Sequence, residues 1–179
     1  SSVNALGVYA SRAAGNLDHP KVETLAEATV PAARGFRAAE EVFRDGATEM
    51  EAHHAFLAAA GVMEEWLPYP TIIGFDERSA TLHYHGKRGT WAAPGKTMLV
   101  DAGVSVRGYG SDITRTFTGE GCDPLFVDLV AGMEALQKDL AAAPRPGMKY
   151  LDLHVRAHVL IGDLLHRAGV LKVPGDAAV

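Results

Sequence analysis

Apolar residues recur near helical spacing from Glu23 to about Arg44, in an alanine-rich stretch where Pro31 and Gly35 are positions for a kink or a division. Gly46 stops that helix. Thr48-Glu-Met-Glu51 reads as a capping box that opens a second helix, running to Gly61. Glu40, Glu41, Glu49 and Glu51 are then expected on solvated helix faces. Beyond Gly61 the period shortens. Thr71 to Phe75 and Thr81 to Tyr84 are short apolar runs predicted as strands, separated by a polar turn at Asp76-Glu-Arg-Ser79. Trp91-Ala-Ala-Pro-Gly95 connects them to two further predicted strands, Lys96 to Val104 and Asp112 to Phe117, paired about a Gly108-Tyr-Gly110 bend. Asp123-Pro124 starts a third helix, with Val127, Val130, Met133 and Leu136 at helical spacing. Pro144-Arg-Pro-Gly147 breaks the chain. Tyr150 to His166 is a fourth helix with Leu153, Ala157, Leu160 and Leu164 on one face, ended by Gly169. Helices, then strands, then helices indicate an α+β fold. Residues 1–20 read as a linker or tail, and 21–179 as one domain.

Composition narrows the class. A chain of 179 residues with 47% hydrophobic content can bury one core. A net charge of −5 with mixed signs leaves no basic stripe, so nucleic acid is not an expected partner. No basic amphipathic helix or long apolar run points to a membrane. The single cysteine, Cys122, excludes an intrachain disulfide and fits a reducing cytoplasm, the expected location.

Candidate chemistry concentrates in the hairpin, where each predicted strand carries one aspartate, Asp101 and Asp112. A carboxylate among apolar strand residues is costly to desolvate unless paired. Two meeting across a hairpin repel each other unless a cation lies between them. Such oxygen ligands suit Mn(II), Mg(II) or Zn(II). A second reading stands beside this one: Asp101 ends a strand through an Asx-type turn, and Asp112 answers Arg107 or Arg115 in a surface ion pair. His154 and His158 are four apart on a helix, but no Glu follows His154 directly as a zinc-peptidase helix requires.

Three stretches in order carry a resemblance: Phe36-Arg-Ala-Ala-Glu-Glu-Val-Phe-Arg-Asp-Gly46; Leu67-Pro-Tyr-Pro-Thr-Ile-Ile73 with Ser79-Ala-Thr-Leu-His-Tyr84; and the Asp101/Asp112 hairpin. Together they resemble the pita-bread metallopeptidases, the family of methionine aminopeptidase, aminopeptidase P and prolidase, with most likeness to bacterial Xaa-Pro dipeptidases. A weaker match runs on to about Val170.

The resemblance implies two divalent metal ions, Mn(II) in this branch, held by Asp, Asp, His, Glu and Glu in chain order. The first two map onto Asp101 and Asp112, with Asp112 bridging both metals. His83 maps onto the histidine that contacts substrate and assists the tetrahedral intermediate. Tyr69 is a candidate for lining the substrate pocket, and Thr114 for hydrogen-bonding a ligand. The expected substrate is a small peptide, cleaved before proline by a metal-activated water, and a homodimer is the expected assembly. The family's later His and two Glu ligands do not occur before Val179. The expectation is therefore the first half of the fold plus the helix pair of the second half, without an additional N-terminal domain. If the chain ends there, poor solubility or docking against another chain is expected. Two alternatives remain: a sister enzyme such as aminopeptidase P, or a non-catalytic binding module of the same fold.

Overall fold

Helix α1, His19–Arg44, buries Leu25, Ala28, Ala32, Phe36, Ala39 and Phe43, a stripe stepping by three or four residues that keeps one face inward. The computed structural model describes residues 19–90 and 94–177, so residues 1–18 of the expected linker and residues 91–93 of the expected loop lie outside the described residues. Pro31 lies inside α1 without dividing it. Gly35 serves packing instead: a side chain there would collide with the Phe56 ring, 2.6 Å from where its Cβ would stand.

Helix α2, Glu49–Ala60, opens on the expected capping box. Thr48 accepts from the Glu51 amide, while the Glu51 carboxylate accepts from the Thr48 amide at 2.7 Å. Gly61, at φ 73°, closes α2 in the left-handed conformation that glycine tolerates. Phe36 and Phe56 meet edge to face at 5.6 Å and join the two helices.

The helix pair packs on a three-stranded antiparallel sheet, in the order β1 (Ile72–Phe75), β2 (Thr97–Ala102), β5 (Ile113–Thr118). Strand β2 alternates: Met98, Val100 and Ala102 are buried, while Thr97, Leu99 and Asp101 are half-buried. Asp101 therefore points to the face opposite the core. Between β2 and β5 the chain makes a small hairpin, β3 (Ser105–Val106) and β4 (Tyr109–Gly110), turning at Arg107 and Gly108. Their φ values of 50° and 83° are those of a two-residue turn with both positions left-handed. The bend is thus one step earlier than expected, and Tyr109 and Gly110 are its second strand. Ser111 is buried and ties the hairpin down: its hydroxyl accepts from the Val104 amide at 2.9 Å and lies 3.3 Å from the Ala28 carbonyl of α1.

Two other expectations are corrected. Thr81–Tyr84 is not a strand; it leaves a 3₁₀ turn (Asp76–Ala80) through the bonds Thr81 N to Arg78 O and Tyr84 N to Thr81 O, and His83 stands at φ 56°. Among the described residues no strand pairs with this stretch, and Leu82 is 89% exposed. Asp112 lies just before β5 rather than within it, because Ser111 turns inward immediately ahead of it.

Residues 123–177 form a second unit. Asp123 caps helix α3 (Pro124–Ala142) by accepting from the Leu125 amide, with proline at the first helical position as expected. Helix α4 spans Tyr150–Arg167 and packs against α3, where Gly132 gives room to Leu164. Gly169, at φ 73°, follows its end. Leu125, Val127, Met133, Leu151 and Val155 remain exposed on this pair.

Candidate functional site

The two aspartates come together through a third residue. Tyr69 Oη lies 2.9 Å from Asp101 Oδ1 and 2.9 Å from Asp112 Oδ1. Asp101 is held by the β2 ladder directly opposite Thr114, which also hydrogen-bonds its carboxylate. Asp112 is placed by the buried Ser111 before it and β5 after it. Tyr69 is placed from both sides. Pro68 packs on Gly103 and Gly110, where a Cβ would stand 3.0 Å and 2.7 Å from its ring. On the other side, the buried Thr71 hydroxyl and His53 Nδ1 of α2 share a hydrogen bond of 2.8 Å.

The electrostatics of this cluster are unbalanced. One phenol hydrogen serves two carboxylates, so one of them lacks a full partner. Burial raises the Asp101 carboxyl above its ordinary value. Hydrogen bonds from Tyr69 and Thr114 and the field of His83 oppose this, while the Asp112 charge adds to it. Burial and the same two carboxylates push the Tyr69 phenol far up, so it remains protonated. The two arginines near Asp112 in sequence are engaged elsewhere: Arg107 pairs with Glu27, and Arg115 donates to the Thr114 carbonyl at 2.7 Å. An under-compensated pair of hard oxygen donors fits a divalent cation. Among the described residues, no cluster of three or more His, Cys, Asp or Glu side chains is placed to hold one.

The remaining candidates fall as follows. His83 is exposed, on the turn after the 3₁₀ segment, close enough for its charge to act on Asp101. His154 and His158 lie with ring centroids 4.4 Å apart, His154 also stacks on Tyr150, and both lie in the other unit. Glu49 overturns an expectation: it is 1% exposed rather than solvated. The sequence held the signal, since Glu49, Ala52, His53, Phe56 and Ala60 share one face of α2 at spacings of three or four. Pro68, Gly103, Gly110 and Ser111 were also missed; nothing in their local pattern reports a role set by distant packing.

The sequence pattern of metallopeptidase family M24 matches residues 23–172. The chain belongs to this family. It is 40% identical to the Xaa-Pro dipeptidase of Stenotrophomonas maltophilia over 159 residues, covering 89% of this chain and 36% of that protein. It is also 40% identical to the Xaa-Pro dipeptidase of Marinobacter nauticus, over 89% of this chain and 37% of that one. The chain thus spans about a third of the length of the curated relatives it matches. Zinc-substituted Escherichia coli aminopeptidase P in complex with product superposes with a TM-score of 0.75 at 24% identity, over 90% of this chain and 37% of that structure. The low-pH form of the same enzyme gives the same TM-score. The M24 chain therefore carries part of the pita-bread fold, as the sequence resemblance implied.

Proposed function

We propose that the protein containing this chain hydrolyses Xaa-Pro dipeptides, with Asp101 and Asp112 as two of its metal ligands. The observation that carries this reading is the Tyr69-bridged aspartate pair in an M24 chain, whose 40%-identical relatives are named Xaa-Pro dipeptidases. A divalent metal bound there supplies a Lewis acid and a water of lowered pKa. Mn(II) is our choice of ion, which Asp101 and Asp112 would help to hold.

The chain's own residues have separate tasks. Asp101 and Asp112 provide the negative oxygens. Tyr69 keeps both carboxylates oriented through its hydroxyl, and Thr114 restrains Asp101 from the neighbouring strand. His83 donates a hydrogen bond to the carbonyl oxygen of the bond before proline as negative charge grows on it. Tyr69 also walls the peptide site beside that bond.

The test uses the full-length protein, supplied with Mn(II) and offered Ala-Pro and the tripeptide Ala-Pro-Ala. Metal-dependent hydrolysis of the dipeptide supports this reading. Hydrolysis of the tripeptide alone assigns an aminopeptidase P-type activity instead. No hydrolysis of either rejects the peptidase reading in favour of a non-catalytic module.

A further inference from the structure

Glu49, the first residue of α2, is almost fully buried, and its hydrogen-bond donors lie outside the Tyr69–Asp101–Asp112 cluster. Its Oε1 accepts from the Phe75 amide at 2.9 Å and from Arg78 Nε at 2.5 Å. Its Oε2 accepts from the Tyr84 hydroxyl at 2.9 Å and from the Arg88 amide at 2.7 Å. Burial works to raise the carboxyl's pKa, but the bonds from Arg88, Arg78, Phe75 and Tyr84 outweigh it, and the group lies below its ordinary value. Glu49 is an anion at neutral pH with its lone pairs fully engaged.

All four donors belong to one stretch of chain, and that stretch carries His83. Phe75 and Arg78 precede His83; Tyr84 and Arg88 follow it. Asp76 Oδ1 at the start of the stretch accepts from the Lys96 and Thr97 amides, and the Arg88 carbonyl at its end accepts from the Met50 amide. Among the described residues the backbone between has only the 3₁₀ and turn bonds already described, and His83 sits in the left-handed region that a residue with a Cβ adopts at a cost. A segment with so few ladder bonds holds one position only if something else fixes it. A carboxylate meets that need better than an apolar side chain, because one planar group can receive two amides, a guanidinium and a phenol together. The loop also folds back on its clamp: the Tyr84 hydroxyl and ring occupy the space a side chain at Gly86 would need, 2.5 Å and 2.6 Å from its Cβ position. One turn along α2, His53 holds Thr71, two residues past Tyr69. The same helix face thus secures both segments that reach the aspartates.

We propose that Glu49 is a positioning residue for this reaction: its buried carboxylate, gripping residues 75, 78, 84 and 88, fixes His83 beside the Asp101/Asp112 centre. The proposal rests on the role given to His83 under Proposed function. Glu49 touches neither substrate nor ligand aspartates, and it acts only through the loop.

The experiment is a double-mutant cycle in the full-length, Mn(II)-supplied protein with Ala-Pro as substrate. Tyr84→Phe removes one clamp bond from a half-exposed side chain and tests the proposal even if Glu49→Gln folds poorly. With His83 present, we expect kcat to fall ~3–10-fold in Tyr84→Phe and ~30–100-fold in Glu49→Gln with KM within about twofold, the scale of a misplaced catalytic group. In a His83→Ala background both losses shrink to within about twofold, since the group being positioned is gone. Equal losses with and without His83 overturn the proposal. Amide hydrogen exchange supplies a readout independent of turnover. Glu49→Gln is expected to speed exchange across residues 81–88 while α1 and β2 stay protected, and exchange unchanged there, or faster everywhere, overturns the proposal. If the wild-type protein cleaves no Xaa-Pro dipeptide, the functional reading fails by itself, and exchange still decides whether Glu49 fixes the His83 loop.

Discussion

Two acidic centres bear on the same loop, and they are satisfied to opposite degrees. Glu49 is nearly sealed from water and receives four hydrogen bonds, two of them from charged or amide groups at 2.7 Å or less. Asp101 and Asp112 are more accessible, yet they divide one phenol hydrogen, with Thr114 adding a second hydroxyl to Asp101. Burial alone would rank Glu49 as the more costly anion. Hydrogen bonding reverses that ranking, because a buried charge is tolerable when its acceptor sites are filled. The comparison separates a carboxylate that finishes the fold from a pair whose charge the fold leaves over. The second kind is where a cation gains most.

The comparison breaks first, and most visibly, at the pair. Asp112→Asn in the full-length protein should lower metal-dependent Ala-Pro hydrolysis by ~10³-fold or more, since a ligand lost from a metal site removes several kcal/mol of transition-state stabilisation. Its thermal melt in chelator should rise slightly, because Asp101 loses a like-charged neighbour. Turnover within about tenfold of wild type would end the assignment of Asp112 as a ligand.

Glu49 should behave in the opposite way. Glu49→Ala leaves Arg78 and two loop amides without their acceptor, and the loss of stability should be about 3 kcal/mol by denaturant titration, with or without metal. The pH dependence has a definite sign. A carboxyl held below its ordinary 4.5 in the folded state contributes stability that is present above that value and is lost as pH falls through the lowered folded-state pKa. Glu49→Gln should therefore flatten the part of the acid-unfolding slope below about pH 4.5. An unchanged slope in that variant would show that the buried carboxylate carries no such linkage.

Local rules read the helices well. The capping box at Thr48, the left-handed Gly61, the Asp123-Pro124 start and Gly169 stand where their chemistry places them, because caps are decided within a few residues. The aspartate pair was legible for another reason: two acids among β-branched and apolar residues contradict their surroundings. Three things were not legible. The 81–84 stretch has strand-like composition, but a strand exists only where a neighbour supplies a ladder. Pro31 within α1 follows the breaker rule in isolation, yet the buried stripe on either side carries the helix through. The burial of Glu49 could be read from the stripe it shares on α2, but not its four donors, which lie 26 to 39 residues away. Separation of that size is invisible to periodicity.

Tyr69 offers a sharper cut between the two centres. Tyr69→Phe keeps the ring on its Pro68 platform and removes only the bridging hydroxyl. Losing a group that orients ligands typically costs ~10–100-fold in metal affinity or activity, and that is the expected drop here, read by metal titration followed by kcat/KM at saturating metal. Phe at this position should leave the Glu49-dependent acid slope untouched, because no hydrogen bond connects the two centres through Tyr69. A change in that slope would mean they are one network rather than two.

The smallest effect is also the most specific, because its sign depends on the metal. In chelator, the charge on Asp101 is opposed by burial and by Asp112, so Asp101→Asn should stabilise the full-length protein by about 1 kcal/mol, the scale of one like-charge repulsion near a surface. With metal present, the wild type gains binding free energy in the folded state, about 2.7 kcal/mol at a hundredfold excess over Kd, and a variant lacking one ligand gains less. The two melting curves should therefore cross: Asp101→Asn above wild type without metal, and below it with metal. Glu49→Gln should lie below wild type in both. A variant at Asp101 that is destabilised under both conditions would place that carboxylate in the same class as Glu49, as a finished part of the fold, and the distinction between the two centres would fall.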